Sequence, residues 1–305
     1  MKEEPLLLLS DLQKLINQVV LIDYTIIILG GKTMRNSKTN ELVLTGLFTA
    51  IIIIMAFTPL GYIPLVVINA TIIHIPVILG SLFCGPKKGA FLGFVFGFTS
   101  CLKATIVGGT LSSFVFSPVL AASLVGTSGI FKSLFIAFVP RILVGVIPYF
   151  VYIGIKKVLA SEKKNLRGTV LNVLMSVFLA FGVYAFLGKM SESLSQAAAL
   201  GIGIAVGAVV FIVVEAVFIR KSIQVIPFVY AGVAGAMTNT LLVMGSIFVL
   251  YKDAYADAIG VAGNAVLGVI TGVISFNGVI EAIVAAIIVY LVGLVLNTIK
   301  PIAAK

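Results

Sequence analysis

Eight apolar runs of about twenty residues each, parted by short breaks that hold almost all of the charge, constrain this chain more than any motif in it. A helix needs about 20 residues to cross a bilayer, so each run is long enough for one crossing. Soluble chains carry about 25% charged residues; this one has 10%, against 60% apolar, in 305 residues. A globule that apolar would have no polar skin. The fold class is therefore an all-α polytopic membrane protein. The runs are expected at about 41–58, 64–84, 90–107, 134–155, 168–188, 197–219, 225–250 and 276–296. Between the third and fourth, Gly108, Gly109, Pro118, Gly126 and Gly129 break an apolar stretch, which reads as a long loop or re-entrant piece. Between the last two, an acidic loop with Asp253 and Asp257 leads into a Gly/Ala-rich segment.

The formal charge of +10 is not a nucleic-acid footprint, because no soluble face gathers the cations. Cys84 and Cys101 both lie in apolar runs, so no disulfide framework, metal cluster or cofactor is expected. Short cytoplasmic loops collect Lys and Arg. Eight crossings put fourteen cations on the side of both ends, and only Lys103, Lys132, Lys189 and Lys252 on the other. Both termini are thus expected in the cytoplasm of a prokaryotic cell, with the chain in its plasma membrane.

The first 33 residues fit this scheme badly, since 15–29 is short and carries Asp23. Gly30-Gly31-Lys32-Thr33-Met34 is what a purine-rich ribosome-binding sequence would encode in frame, so translation is expected to start at Met34. A peptide from upstream of Met34 in the native protein would overturn this. The same segment imitates a phosphate loop ending at Thr33, but the first glycine of that motif is Ile26, and no nucleotide site is expected. The expected organisation is 1–33 as an N-terminal extension, 34–159 as core helices, 160–222 as a two-helix hairpin, and 223–305 as the remaining core.

Polar and ionisable groups inside spans are costly, and so are functional candidates. At about 1.5 Å per residue, Asn69, His74, Lys103, Arg141, Asn239 and Glu281 come from five spans and fall mostly in the outer half of the membrane. Buried cations suit an anionic substrate, and arginine offers a planar fork to a carboxylate. Other readings stand beside these: Arg141 pairs with Glu281, Lys103 snorkels to the surface, and His74 either carries a proton or bonds a neighbouring helix. Glu215 is expected to snorkel toward Arg220 or Lys221. Small residues form two stripes at four-residue spacing, Gly46 with Ala50, and Gly89 with Gly93 and Gly97, each allowing close helix approach.

The stretches TGLFTAIIIIMAFTPLGYIPLVVINATIIHIPVILGSLFCGPKKGAFLGFVFGFTS from Thr45, SSFVFSP from Ser112, PRILVGVIPY from Pro140 and AGVAGAMTNTLLVMGSI from Ala231 resemble the substrate-binding S components of energy-coupling factor (ECF) vitamin transporters, those for pantothenate most of all. The resemblance implies a six-helix core, to which the chain adds the hairpin as an inserted pair of spans. It also implies no enzymatic activity and capture of a water-soluble vitamin from outside. The partners implied are a transmembrane T component and two ABC-type ATPases. Under that resemblance Gly46 and Ala50 face the T component, and the segment from Thr58 to Pro64 gates the pocket. The expected pocket residues are Asn69, Lys103, Ser113, Phe116, Ser117, Arg141 and Asn239. An ion-coupled secondary transporter of a small organic anion is the alternative, with His74 or Glu281 as its proton site; no internal repeat supports it. A hydrolase is disfavoured by a single His and no His/Glu motif.

Overall fold

In a computed structural model, residues 37–64, 69–108, 110–160, 164–190, 194–221, 225–299 and 302 are described. The expected start at Met34 lies outside them. The contacts divide the chain into Met1–Val43, of which only the first two turns of a helix are described, and Leu44–Lys305, to which the following description applies.

Among the described residues, seven helices are long and apolar enough to cross a membrane. The first, α1, is Ser37–Phe57. After a 3-10 turn come two three-residue strands, β1 (Tyr62–Pro64) and β2 (Asn69–Thr71), paired antiparallel with Tyr62 opposite Thr71. The second apolar run is thus no continuous helix. Its helical part, α2 (His74–Cys84), is 11 residues long and buried at every position. At about 1.5 Å per residue it covers about 16 Å, roughly half of a hydrocarbon core about 30 Å thick. Irregular backbone at such depth survives only where protein satisfies it. Here Gly61 O accepts from Ile72 N at 3.0 Å, and a carboxylate described below accepts from Thr71 N.

Helix α3 (Pro86–Ile106) follows, then a 3-10 turn at Ser113–Val115 and a short helix α4 (Pro118–Val125). The expected loop at 108–132 is therefore largely structured. Gly126, at φ 74°, reverses the chain between α4 and α5 (Thr127–Val144), and Gly129 packs so tightly on Ala121 that a Cβ there would lie 2.5 Å from its carbonyl oxygen. The fourth span so begins about seven residues before the expected position, and it runs on, after a break at Gly145 and Val146, through α6 (Ile147–Leu159).

The hairpin consists of α7 (Lys164–Met190) and α8 (Gln196–Lys221). Gly203 and Gly207 of α8 sit against Ala180 and Ser176 of α7. Glu215 accepts from Thr169 Oγ1 and Asn172 Nδ2, both at 2.6 Å. Two donors on the facing helix thus hold Glu215 across the hairpin; the side chains of Arg220 and Lys221, toward which it is expected to snorkel, lie outside the described residues. The hairpin meets the rest through Tyr230, whose hydroxyl donates to Leu171 O, and through Gly182 against Val279.

Helix α9 (Val225–Ile259) kinks at Tyr251 and continues, so Asp253 and Asp257 lie on helix and not in a loop. The Tyr251 hydroxyl donates to Gly129 O at 2.7 Å, tying the kink to the start of α5. The last span begins ten residues earlier than expected, with α10 (Val266–Val273), a π-turn at Ile274–Gly278 and α11 (Val279–Ile299). Around the buried α2 pack α3, α6, α9 and α11. Large apolar side chains such as Phe91, Phe94 and Phe98 point outward, as lipid-facing surface requires.

Candidate functional site

The arginine in the fourth span owes its setting to the residue before it. Proline has no N–H to give the carbonyl four residues back, so Pro140, inside α5, leaves Ile136 O without its helical donor. Arg141 supplies the replacement: its Nη1 donates to Ile136 O at 2.8 Å. Arg141 is only 6% exposed, and the central carbon of its guanidinium stands 4.7 Å from the centroid of Phe116 and 5.5 Å from that of Phe96. Two aromatic faces thus stabilise a desolvated cation.

The glycine stripe on α3 brings these parts together. A Cβ on Gly89 would lie 2.0 Å from Gly145 O, on Gly93 2.1 Å from Arg141 O, and on Gly97 2.5 Å from Ala137 O. The backbones of α3 and α5 therefore touch along three turns. Phe96, three residues after Gly93, is carried onto the guanidinium by that approach.

Glu281, buried near the start of α11, ties together three elements. Its Oε1 accepts from Thr71 N of β2 at 2.8 Å, and its Oε2 from Thr240 Oγ1 of α9 at 2.8 Å. Arg141 acts electrostatically on the same carboxylate. The inner end of the β-hairpin is thereby anchored to the helix that faces the arginine.

The other expected pocket residues divide by what they hold. Lys103 Nζ donates to Ala56 O at 3.1 Å in the last turn of α1, where a cation also complements the helix dipole. Ser113 is buried and its hydroxyl is engaged by Thr110, through the backbone N–H at 3.2 Å and the Thr110 hydroxyl at 2.8 Å. Ser117, fully buried, caps α4 by accepting from Leu120 N at 3.2 Å and lies 2.8 Å from Thr105 Oγ1. Both serines thus shape the loop that delivers Phe116. Asn69 contributes the first residue of β2; its side chain lies outside the described part. Asn239 is buried, with Oδ1 accepting from no protein donor, and His74 is fully buried at the head of α2.

Phe96, Thr240, Thr71 and Pro140 were not singled out from the sequence. Adjacency was the available signal for two of them: a proline next to an intramembrane arginine, and a threonine beside Asn239. Nothing local marks Phe96, whose place depends on a neighbouring helix.

The geometry carries a prediction. Pro140→Ala restores an N–H that competes for Ile136 O, so the guanidinium loses its fixed acceptor while α5 gains a helical bond. The expected result is a protein at least as stable to heat but several-fold weaker in binding any anion that Arg141 would hold, read by calorimetry and thermal melting on the same sample. Equal affinity for wild type and variant would mean that Ile136 O does not position Arg141.

The family model described as "ECF transporter, substrate-specific component" matches residues 40–220. The "Pantothenic acid transporter PanT" of Lactococcus lactis subsp. cremoris is 42% identical over 161 residues, covering 49% of this chain and 78% of that protein. The "Pantothenate transporter PanT" of Leuconostoc mesenteroides subsp. mesenteroides is 26% identical over 277 residues, 89% of this chain and 98% of that one. The family match runs through the hairpin and stops short of α9 and α11, which bring Thr240 and Glu281 to the arginine. Seven helices able to span a bilayer and a match over more than half of its length make the chain a multi-pass transport protein of the ECF transporter substrate-specific component family.

Proposed function

We propose that the chain captures a small carboxylate-bearing vitamin from outside the cell, pantothenate by preference, and that Arg141 holds its carboxylate. The observation that carries this is the buried guanidinium framed by Phe96 and Phe116 and fixed at one nitrogen by Ile136 O. Arginine presents five N–H donors in a plane, a shape that complements a carboxylate through paired bonds. The hydroxyl and amide groups of pantothenate suit the buried polar side chains nearby, and the printed names of both relatives point to the same compound. The β-hairpin, tied to Glu281, is the segment whose movement would open the site, and with the second apolar run counted as an eighth crossing both termini lie on the cytoplasmic side.

Release inside falls to partners: a T component and two ABC-type ATPases. Gly46 and Ala50 are exposed on α1, and a Cβ added at Gly46 would meet nothing within 4 Å. Their flat face supports the T-component contact. Calorimetry of the purified chain with pantothenate tests the reading, with saturable binding expected in the absence of ATP and of any ion gradient. Uptake into vesicles that contain this chain alone, driven by a proton gradient, would instead establish the secondary-transporter alternative.

A further inference from the structure

We propose that Asn277 is a substrate-binding residue, accepting hydrogen bonds from hydroxyl or amide N–H groups of the same anion whose carboxylate Arg141 holds. The inference rests on that reading of the site and adds to it the recognition of the neutral half of the substrate.

Asn277 lies in the π-turn Ile274–Gly278, a rare helical irregularity that is frequent at functional sites. The turn is wedged between two elements. On one side, Gly278 faces α9: a Cβ there would lie 3.3 Å from Thr240 Cγ2 and 3.7 Å from Met237 Sδ. On the other, Phe276 packs on Phe186 of the hairpin at 4.3 Å between ring centroids, and Val279 fills the space over Gly182. Asn277 is the residue between Phe276 and Gly278, four residues before Glu281. It is 8% exposed, and its Oδ1 accepts from no protein donor.

A buried acceptor without a donor destabilises the fold, so one beside a candidate site calls for a ligand donor as its partner. Asn239 has the same feature: 8% exposed, with an orphaned Oδ1, and next in sequence to Thr240. Two amide oxygens that accept from no donor among the described residues, Asn239 next to Thr240 in sequence and Asn277 four residues before Glu281, are thus carried by the two elements that the Thr240–Glu281 hydrogen bond joins. Both lack a donor, and neither lies beside a second buried cation among the described residues. A ligand that matches them brings O–H or N–H groups on a neutral stretch, with its negative charge at the Arg141 end. The hairpin acts here through position, because Phe186 and Gly182 pack on the residues either side of Asn277.

The test uses the full-length chain in detergent with two probes: pantothenate, and panthenol, in which an alcohol replaces the carboxylate. Asn277→Leu is expected to weaken both by the same factor, about tenfold for one lost hydrogen bond. Apo thermal stability should stay level or rise, since an orphaned acceptor is removed. Arg141→Ala should weaken pantothenate far more than panthenol. Unchanged pantothenate affinity in Asn277→Leu overturns the inference alone. So does a loss confined to pantothenate, which would mean that Asn277 acts through the carboxylate site. A binding loss matched by a lower apo melting temperature in both Asn277→Leu and Asn277→Ala makes the residue a packing element and also overturns it. Failure of panthenol to compete on the wild-type chain does the same, because the amides then contribute no affinity of their own. If the wild type does not bind pantothenate at all, the substrate reading fails and takes the inference with it.

Discussion

Arg141→Ala is expected to weaken pantothenate binding steeply in calorimetry while the purified protein keeps its helical content and its elution position. The expected loss is about 2–5 kcal/mol, which is about thirty-fold to several thousand-fold in affinity, the range found when one partner of a buried charge pair is removed. Arg141→Lys restores little. An ammonium cannot spread between Phe96 and Phe116 and still present paired donors to a carboxylate. The fold is expected to tolerate the alanine, although Ile136 O then loses the donor that Arg141 supplies, because the backbone of α5 stays packed on Gly89, Gly93 and Gly97 of α3. Retained pantothenate affinity in Arg141→Ala would remove the carboxylate from this site.

Gly93→Leu has the second largest effect, this time on stability. Its Cβ would stand 2.1 Å from Arg141 O and 2.8 Å from the Arg141 carbonyl carbon, and both atoms are backbone, which cannot swing aside as a side chain can. Overpacking a well-filled interface costs about 1–3 kcal/mol, and with backbone as the obstacle the upper end is expected. Thermal melting in detergent should show a clear fall, with substrate binding lost as α3 and α5 separate and Phe96 leaves the guanidinium. Gly46→Leu makes the internal control. Space around Gly46 is open, so the isolated chain should melt at the wild-type temperature and bind pantothenate normally. Co-purification with the T component should weaken. A melting loss in Gly46→Leu as deep as that of Gly93→Leu would place both stripes inside the molecule.

The two glycine stripes also show how far the sequence could be read. At the level of spacing they are alike, small residues every fourth position in an apolar run. Only one has a neighbouring backbone against it. Similar limits apply to the polar groups. Arg141, Glu281 and Asn239 could be singled out because a charge or amide inside a span is expensive wherever it points. Which hydrogen bonds they make could not, and Glu215 illustrates why: its donors, Thr169 and Asn172, lie more than forty residues away on the facing helix. Asn277 escaped notice because an asparagine near a span boundary is unremarkable until a π-turn carries it inward.

The helix boundaries were misjudged at the glycine- and proline-rich places. Composition there signals a break but not its type, and Gly126 proved to be a one-residue reversal between two helices, while 62–64 and 69–71 became strands within an apolar run. That hairpin exists because Glu281 and Gly61 supply acceptors for Thr71 and Ile72 N–H groups that would otherwise be stranded away from water.

The sequence by itself determined that the chain is a bundle of membrane helices and which costly residues it contains. Both follow from the solvent: a bilayer demands continuous apolar runs and makes each polar exception visible. The tertiary structure alone decided which exceptions meet. Helix register and approach distance, set here by the α3 stripe and by Pro140, determine whether an arginine faces lipid, a carboxylate or a pair of aromatic rings, and those contacts join residues far apart in the chain.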